Sequence, residues 1–111
     1  MSPSTRQRGP DPSPVFAALG DPTRLALVRR LATEGALSVT ALTSSTRISR
    51  QAVTKHLVVL ARAGLVESER RGRERLWALA PGQIDEARRA LEQISRAWDD
   101  ALVRLRALVE R

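Results

Sequence analysis

Arg50, Gln51, Thr54 and Lys55 stand at i, i+1, i+4 and i+5 of one segment, directly after Ser49. On a helix that spacing puts the four side chains on one face. A guanidinium can bond guanine bidentately, and a carboxamide can do the same to adenine. Lys55 suits a phosphate or a guanine, and Thr54 a phosphate or a thymine methyl. The Ser49 hydroxyl and the free N–H groups of a helix start suit phosphate. His56 follows on the flank of the same helix, either as a polar packing residue or as one more phosphate contact. A second cationic cluster, Arg70, Arg71, Arg73 and Arg75, surrounds Gly72. Together these groups fit double-stranded DNA, a polyanion with readable base edges; the alternative is a solvated, arginine-rich surface.

Composition narrows the choice. The 111 residues carry 19 Lys+Arg against 12 Asp+Glu, a formal charge of +7, and Lys55 is the only lysine. Residues 44–75 hold eight of the cations and three of the anions, and Arg6 and Arg8 account for the remaining excess. There is no cysteine, which excludes disulfides, thiolate metal sites and a Cys nucleophile. A lone histidine without nucleophile and carboxylate partners at triad spacing supports no hydrolase, so no catalytic residue, metal ligand or cofactor is expected. No apolar run approaches the ~18 residues of a membrane span. The N-terminus also lacks a secretory pattern, so a cytoplasmic protein without membrane contact is expected.

The elements that would position these groups are mostly helical. Residues 1–13, rich in Ser, Pro and Arg, read as a disordered basic arm. A short helix follows from Pro14 to Leu19. Asp21 caps a second helix, with Leu25, Val28, Leu31 and Ala32 as its apolar stripe and Gly35 at its end. Ser38 caps a third, through about Ser44. After the polar turn Thr43–Ile48, Ser49 caps a fourth, Arg50–Ala63, whose buried stripe is Val53, Leu57 and Leu60 and whose stop is Gly64. Two helices joined by a tight polar turn form a helix–turn–helix pattern. Leu65–Arg71 and Leu76–Leu79 read as two strands joined at Gly72-Arg73, with glycine first as a type II′ hairpin requires. Such a hairpin is a cationic wing; Arg71 and Arg73 at its tip suit phosphate or a narrow minor groove. Arg70 and Arg75 are expected to pair with Glu69 and Glu74, and Trp77 to lie in the core beneath the wing.

Pro81-Gly82 closes the hairpin, and Ile84–Arg111 then reads as one helix of about 40 Å. Ile84, Ala87, Leu91, Ile94, Trp98, Ala101, Leu105 and Leu108 alternate at spacings of three and four, with Leu102 and Val109 widening the seam. A helix that long outruns a domain this small, so its seam is expected to meet a second copy of the chain. The plainer alternative covers its first half with its own domain and leaves only the end free. The predicted architecture is mainly α with a small β-wing. A winged helix–turn–helix spans 14–83, a dimerisation helix spans 84–111, and the homodimer forms through the N- and C-terminal helices. Phe16, Leu91, Ile94, Trp98, Leu102 and Leu105 are the expected interface residues.

From Val15 to Leu108 the chain resembles the arsenic-repressor (ArsR/SmtB) type of winged helix–turn–helix regulators of bacteria. The resemblance rests on the segments Phe16–Arg24, Leu37–Leu42, Ile48–Leu60 and Ala63–Val66, together with the Gly72-Arg73 wing. Its most specific strings are Asp21-Pro22-Thr23-Arg24 and Ser49-x-x-x-Val53-x-Lys55-His56-Leu57. It implies an α/β winged fold, a homodimer formed largely through the terminal helices, and repression of a promoter by operator binding, in some members the repressor's own promoter; a dimer presenting two such helices calls for a pseudo-palindromic operator. Metal-sensing members carry cysteine pairs near the recognition helix or Asp/His/Glu ligands on the last helix. This chain has no cysteine and no histidine there, so it looks like the metal-independent branch, and the resemblance names no inducer. Asp85, Glu92, Asp99 and Asp100 read as a solvated face rather than a carboxylate metal site. Two other functions stay open: a winged-helix module for protein interaction or dimerisation, and the same repressor with a non-cysteine metal or small-ligand sensor.

Overall fold

The computed structural model describes residues 11–110. The expected basic arm, with Arg6 and Arg8, therefore lies largely outside the described residues. The elements are α1 (Ser13–Leu19), α2 (Pro22–Glu34), β1 (Leu37–Ser38), α3 (Val39–Ser44), α4 (Arg50–Arg62), β2 (Val66–Arg71), β3 (Glu74–Leu79) and α5 (Pro81–Val109).

Three helix starts follow from their caps. The Asp21 carboxylate accepts from the Arg24 N–H at 3.0 Å, the Ser38 hydroxyl from Ala41 N–H at 3.1 Å and the Ser49 hydroxyl from Ala52 N–H at 3.1 Å. The end of α4 is equally determined. Gly64 takes a left-handed φ of 79° and its N–H bonds Ala61 O at 3.0 Å, while Leu65 N–H reaches back to Leu60 O at 3.0 Å. These two bonds are a Schellman motif. A Cβ at Gly64 would also stand 2.5 Å from Gln83 Cγ, so the residue lets α5 start close beside the end of α4.

The sheet is antiparallel, in the order β1–β3–β2. Arg71 pairs with Glu74, which leaves Gly72-Arg73 as a two-residue turn. Gly72 has φ 63° and no non-glycine residue described has positive φ, the pattern of the expected type II′ turn. Ala80 N–H bonds Leu65 O at 2.9 Å and closes the base of the wing. One core joins every layer: Val15 and Ala18 from α1, Leu27 and Leu31 from α2, Leu42 from α3, Val53, Leu57 and Leu60 from α4, Leu65 just before the wing, Val66 from β2, Trp77 from β3 and Ala87 from α5. Trp77 is buried beneath the wing, as its apolar setting in the sequence suggests.

Four expectations are corrected. The strand β1 was not foreseen: Leu37 and Ser38 pair with Trp77 and Leu76, but two residues are too few to show an alternation. On α2, Leu25 and Ala32 are exposed and Leu27 is buried in their place. Val28 and Leu31 belong to either stripe; Leu25 flanks them on one side and Leu27 on the other, so only tertiary packing chooses. The first helix begins at Ser13, one residue earlier than expected, and the last at Pro81, three residues earlier, because Pro81 occupies a first-turn position where a missing N–H is harmless.

Leu57 is fully buried at the centre of α4. Truncating it removes apolar burial and leaves a cavity. Leu57→Ala is therefore expected to lower unfolding free energy by about 2–5 kcal/mol, measured by urea denaturation.

Candidate nucleic-acid interface

The stripe Val53, Leu57 and Leu60 has no solvent exposure, and this fixes the rotation of α4 about its axis. The opposite face must then look outward. Arg50, Gln51, Thr54 and Lys55 are all exposed and line one shallow surface depression. Among the described residues, the side chains of Arg50, Gln51 and Lys55 have neither a hydrogen bond nor an ion pair. Thr54 is the exception: its hydroxyl donates to Arg50 O at 3.0 Å, which turns the side chain back on its own helix. Ser49 uses its hydroxyl oxygen as the helix cap, so toward a phosphate it has only its hydrogen and the N–H groups beside it.

His56 sits off this face. It is half-buried, and its Nδ1 lies 3.9 Å from Asp21 Oδ2, joining the flank of α4 to the cap of α2. The Arg24 backbone N–H holds the Asp21 carboxyl below the ordinary aspartate range; desolvation opposes this, and the charges of Arg24 and of a protonated His56 support it. Arg24 in turn donates from Nε to Ala18 O at 2.7 Å, closing the end of α1.

On the wing, Arg73 is exposed at the turn with no partner among the described residues. Arg71 lies 3.7 Å from Glu69, an exposed and therefore weak pair. Arg70 and Arg75, expected to pair with Glu69 and Glu74, do otherwise. Arg75 Nη1 donates to Ser68 Oγ at 2.9 Å and Arg70 Nε to Gly72 O at 3.4 Å. The pleat explains the exchange: residues 69 and 71 share one face of β2, whereas neighbours point to opposite faces. Sequence reasoning also assigned no role to Arg47, which is exposed and without a described partner in the turn just before Ser49. Its place two residues ahead of a helix cap was the available signal.

The seam of α5 is laid open from Leu91 onward. Leu91, Ile94, Trp98, Leu102 and Leu105 are 49–64% exposed, and Ala87 is the only residue of the helix that is fully buried. Phe16, the sixth expected interface residue, is half-buried against the chain's own core. Along the polar side of α5, Arg88 meets Glu92 at 2.8 Å and Asp85 at 4.0 Å, and Arg89 meets Glu86 at 2.8 Å. Among the described residues no three His, Asp or Glu side chains gather where they could hold a metal ion. Nor is any described helix long and apolar enough to cross a membrane.

Residues 19–69 match a helix–turn–helix domain family. The chain is 37% identical over 99 residues to an HTH-type transcriptional regulator of Mycobacterium tuberculosis, covering 89% of each. It is 32% identical over 105 residues to an arsenic resistance transcriptional regulator of Pseudomonas putida, covering 90% of this chain and 81% of that one. Among solved structures, an ArsR-like transcriptional regulator from Rhodococcus superposes with a TM-score of 0.71 at 35% identity, over 87% of this chain and 91% of the other. A homodimeric winged helix–turn–helix DNA-binding domain from Mycobacterium bovis gives 0.60 at 26% identity, over 79% and 78%.

The Asp21 cap gives a measurable pH dependence. A carboxyl whose folded pKa is lowered adds stability above its unfolded pKa, and that stability is lost as pH falls through the folded value. Wild-type protein is expected to lose stability as pH drops below the ordinary aspartate range, and Asp21→Asn to flatten that part of the curve. Thermal unfolding followed from pH 5 downward checks it, and parallel curves for the two proteins would refute the assignment.

Proposed function

The chain belongs to the ArsR/SmtB family of winged helix–turn–helix transcriptional regulators, and from that membership we propose a homodimeric repressor that reads a pseudo-palindromic operator with α4 and its wing. DNA binding and transcriptional regulation come with the family, which is not an enzymatic class. The observation that carries the site assignment is the exposed, unpaired set Arg50, Gln51 and Lys55 opposite a fully buried stripe. Arg50 and Gln51 read base edges, Thr54 presents its methyl group, and Lys55 and Ser49 hold phosphate. Arg71 and Arg73 carry the wing to the backbone or the minor groove beside it. Arg47 adds a phosphate contact at the turn, and His56 serves chiefly to brace α4 against Asp21.

The dimer proposal rests on the open seam of α5. A stripe of large apolar side chains at heptad spacing from Leu91 to Leu108, about 26 Å of helix, has the pattern of a helix–helix interface. The Mycobacterium bovis neighbour is described as homodimeric, which accords with it. Two recognition helices related by a twofold axis call for half-sites about 10 bp apart. With no thiolate to offer a metal, the chain fits regulation without cysteine-based sensing, in the cytoplasm where its DNA lies. A protein-interaction module would have no use for the free Arg/Gln/Lys face, which favours the DNA reading.

A gel shift with the DNA immediately upstream of the chain's own gene tests repression of that promoter, and a footprint tests the symmetry. Gln51→Ala is expected to relax preference at one base position by about 1–3 kcal/mol, measured by competition among single-base variants of the site. Lys55→Ala and Arg73→Ala should instead weaken binding to every sequence and each reduce the salt slope by about one. An unchanged preferred site for Gln51→Ala sinks the base-readout assignment. For the seam, Ile94→Arg is expected to convert dimer to monomer in sedimentation equilibrium; a monomeric wild type would remove the dimer proposal.

A further inference from the structure

The turn between α3 and α4 contains no glycine, unlike the end of α4. A helix end leaves its last carbonyls without intrahelical donors. At α4 the left-handed Gly64 brings backbone N–H groups back to them. At α3 the cap residue is Ser45, with φ −98° and ψ 4°, so that route is closed. Side chains supply most of the donors instead. Ala41 O accepts from Ser44 Oγ at 2.7 Å, Leu42 O from Ser45 Oγ at 3.1 Å, and Thr43 O from both the hydroxyl and the N–H of Thr46 at 3.0 Å.

One donor comes from outside the turn. Arg30 of α2 places Nη1 at 2.7 Å from Ala41 O and 2.6 Å from Ser45 Oγ. Its Nε bonds Glu34 at 2.6 Å, which orients the guanidinium, and its side chain is only 23% exposed. A cation at a helix C-terminus is also favoured by the helix dipole. Arg30 is thus the side chain through which α2 grips the turn that leads into α4.

We propose that Arg30 is a specificity-determining positioning residue: it touches no DNA, and by clamping the α3–α4 turn it holds the reading face of α4 at the angle that base contacts require. This rests on the assignment of α4 as the DNA-reading helix. Bidentate base contacts need donor and acceptor in register, whereas attraction to phosphate falls off gently with distance. Releasing the clamp therefore affects discrimination between sequences more than attraction to DNA in general.

The test uses the full chain, an operator selected from random duplexes by the wild type, and one unrelated duplex. Arg30→Met keeps an apolar stem and removes the charge and the donors. It is expected to bind the operator about tenfold more weakly, roughly the discrimination of one bidentate base contact. Affinity for the unrelated duplex should change by less than about twofold and the salt slope should stay the same, since no phosphate contact is lost. Arg30→Lys keeps the charge but not the planar fork, so an intermediate loss is expected. It also carries the test if the methionine variant does not fold, and undiminished operator affinity in it then overturns the proposal. Equal losses on both duplexes with a shallower salt slope would make Arg30 a phosphate contact and overturn it as well. A wild type that selects no sequence removes the DNA-reading assignment itself, and a selective wild type with a fully selective Arg30→Met removes the clamp alone.

Discussion

The face that α4 presents to a partner depends on three side chains that present nothing. Val53, Leu57 and Leu60 are fully buried, and each contributes about 1.5–3 kcal/mol of apolar burial. A helix turns 100° per residue, so pinning one stripe dictates the direction of every other position. The Ser49 cap and the Gly64 Schellman motif then set where α4 begins and ends. No surface ion pair could do this, because an exposed pair contributes at most about 1 kcal/mol and tolerates many geometries. Rotation, start and end of the helix are all settled by burial and backbone bonds, which leaves the outward side chains free of structural duty.

That division of labour explains the charge distribution. On α5, Arg88 and Arg89 sit among Asp85, Glu86 and Glu92, and their charge is spent locally. On α4 and at the wing tip, Arg50, Lys55 and Arg73 form no ion pair with any described residue. An excess cation left unpaired near others raises the local potential and draws a polyanion from a distance on the order of the Debye length, ~10 Å in moderate salt. The net +7 of the chain is therefore a poor description of its field; which cations lack a neighbour matters more.

What the sequence made legible was whatever local chemistry decides. Asp21, Ser38 and Ser49 act as caps where a carboxylate or hydroxyl precedes an apolar period, and Gly64 and Gly72 take the left-handed conformations their positions call for. The face Arg50–Lys55 followed from helix periodicity alone. Illegible were the features that depend on a distant partner. The strand β1 exists because Trp77 and Leu76 lie beside it, and Leu27 is buried because of what packs on its side of α2. Arg30 looked like one more solvated arginine; its role needs Ala41 and Ser45, eleven and fifteen residues away, to fold back beneath it. Pleat geometry likewise reassigned the acid partner on the wing from Arg70 to Arg71.

The uncovered length of α5 bears on how the protein survives as much as on what it binds. From Leu91 to Val109 a newly made chain displays a row of large apolar residues that its own domain does not shelter. For a helix of this kind, pairing stabilises the folded state in proportion to the logarithm of protomer concentration. Scarce copies would then fray from the C-terminal end and meet proteases first, while abundant copies protect one another. Under the proposed pairing, the stability of the chain is therefore set by its amount as well as by its own core.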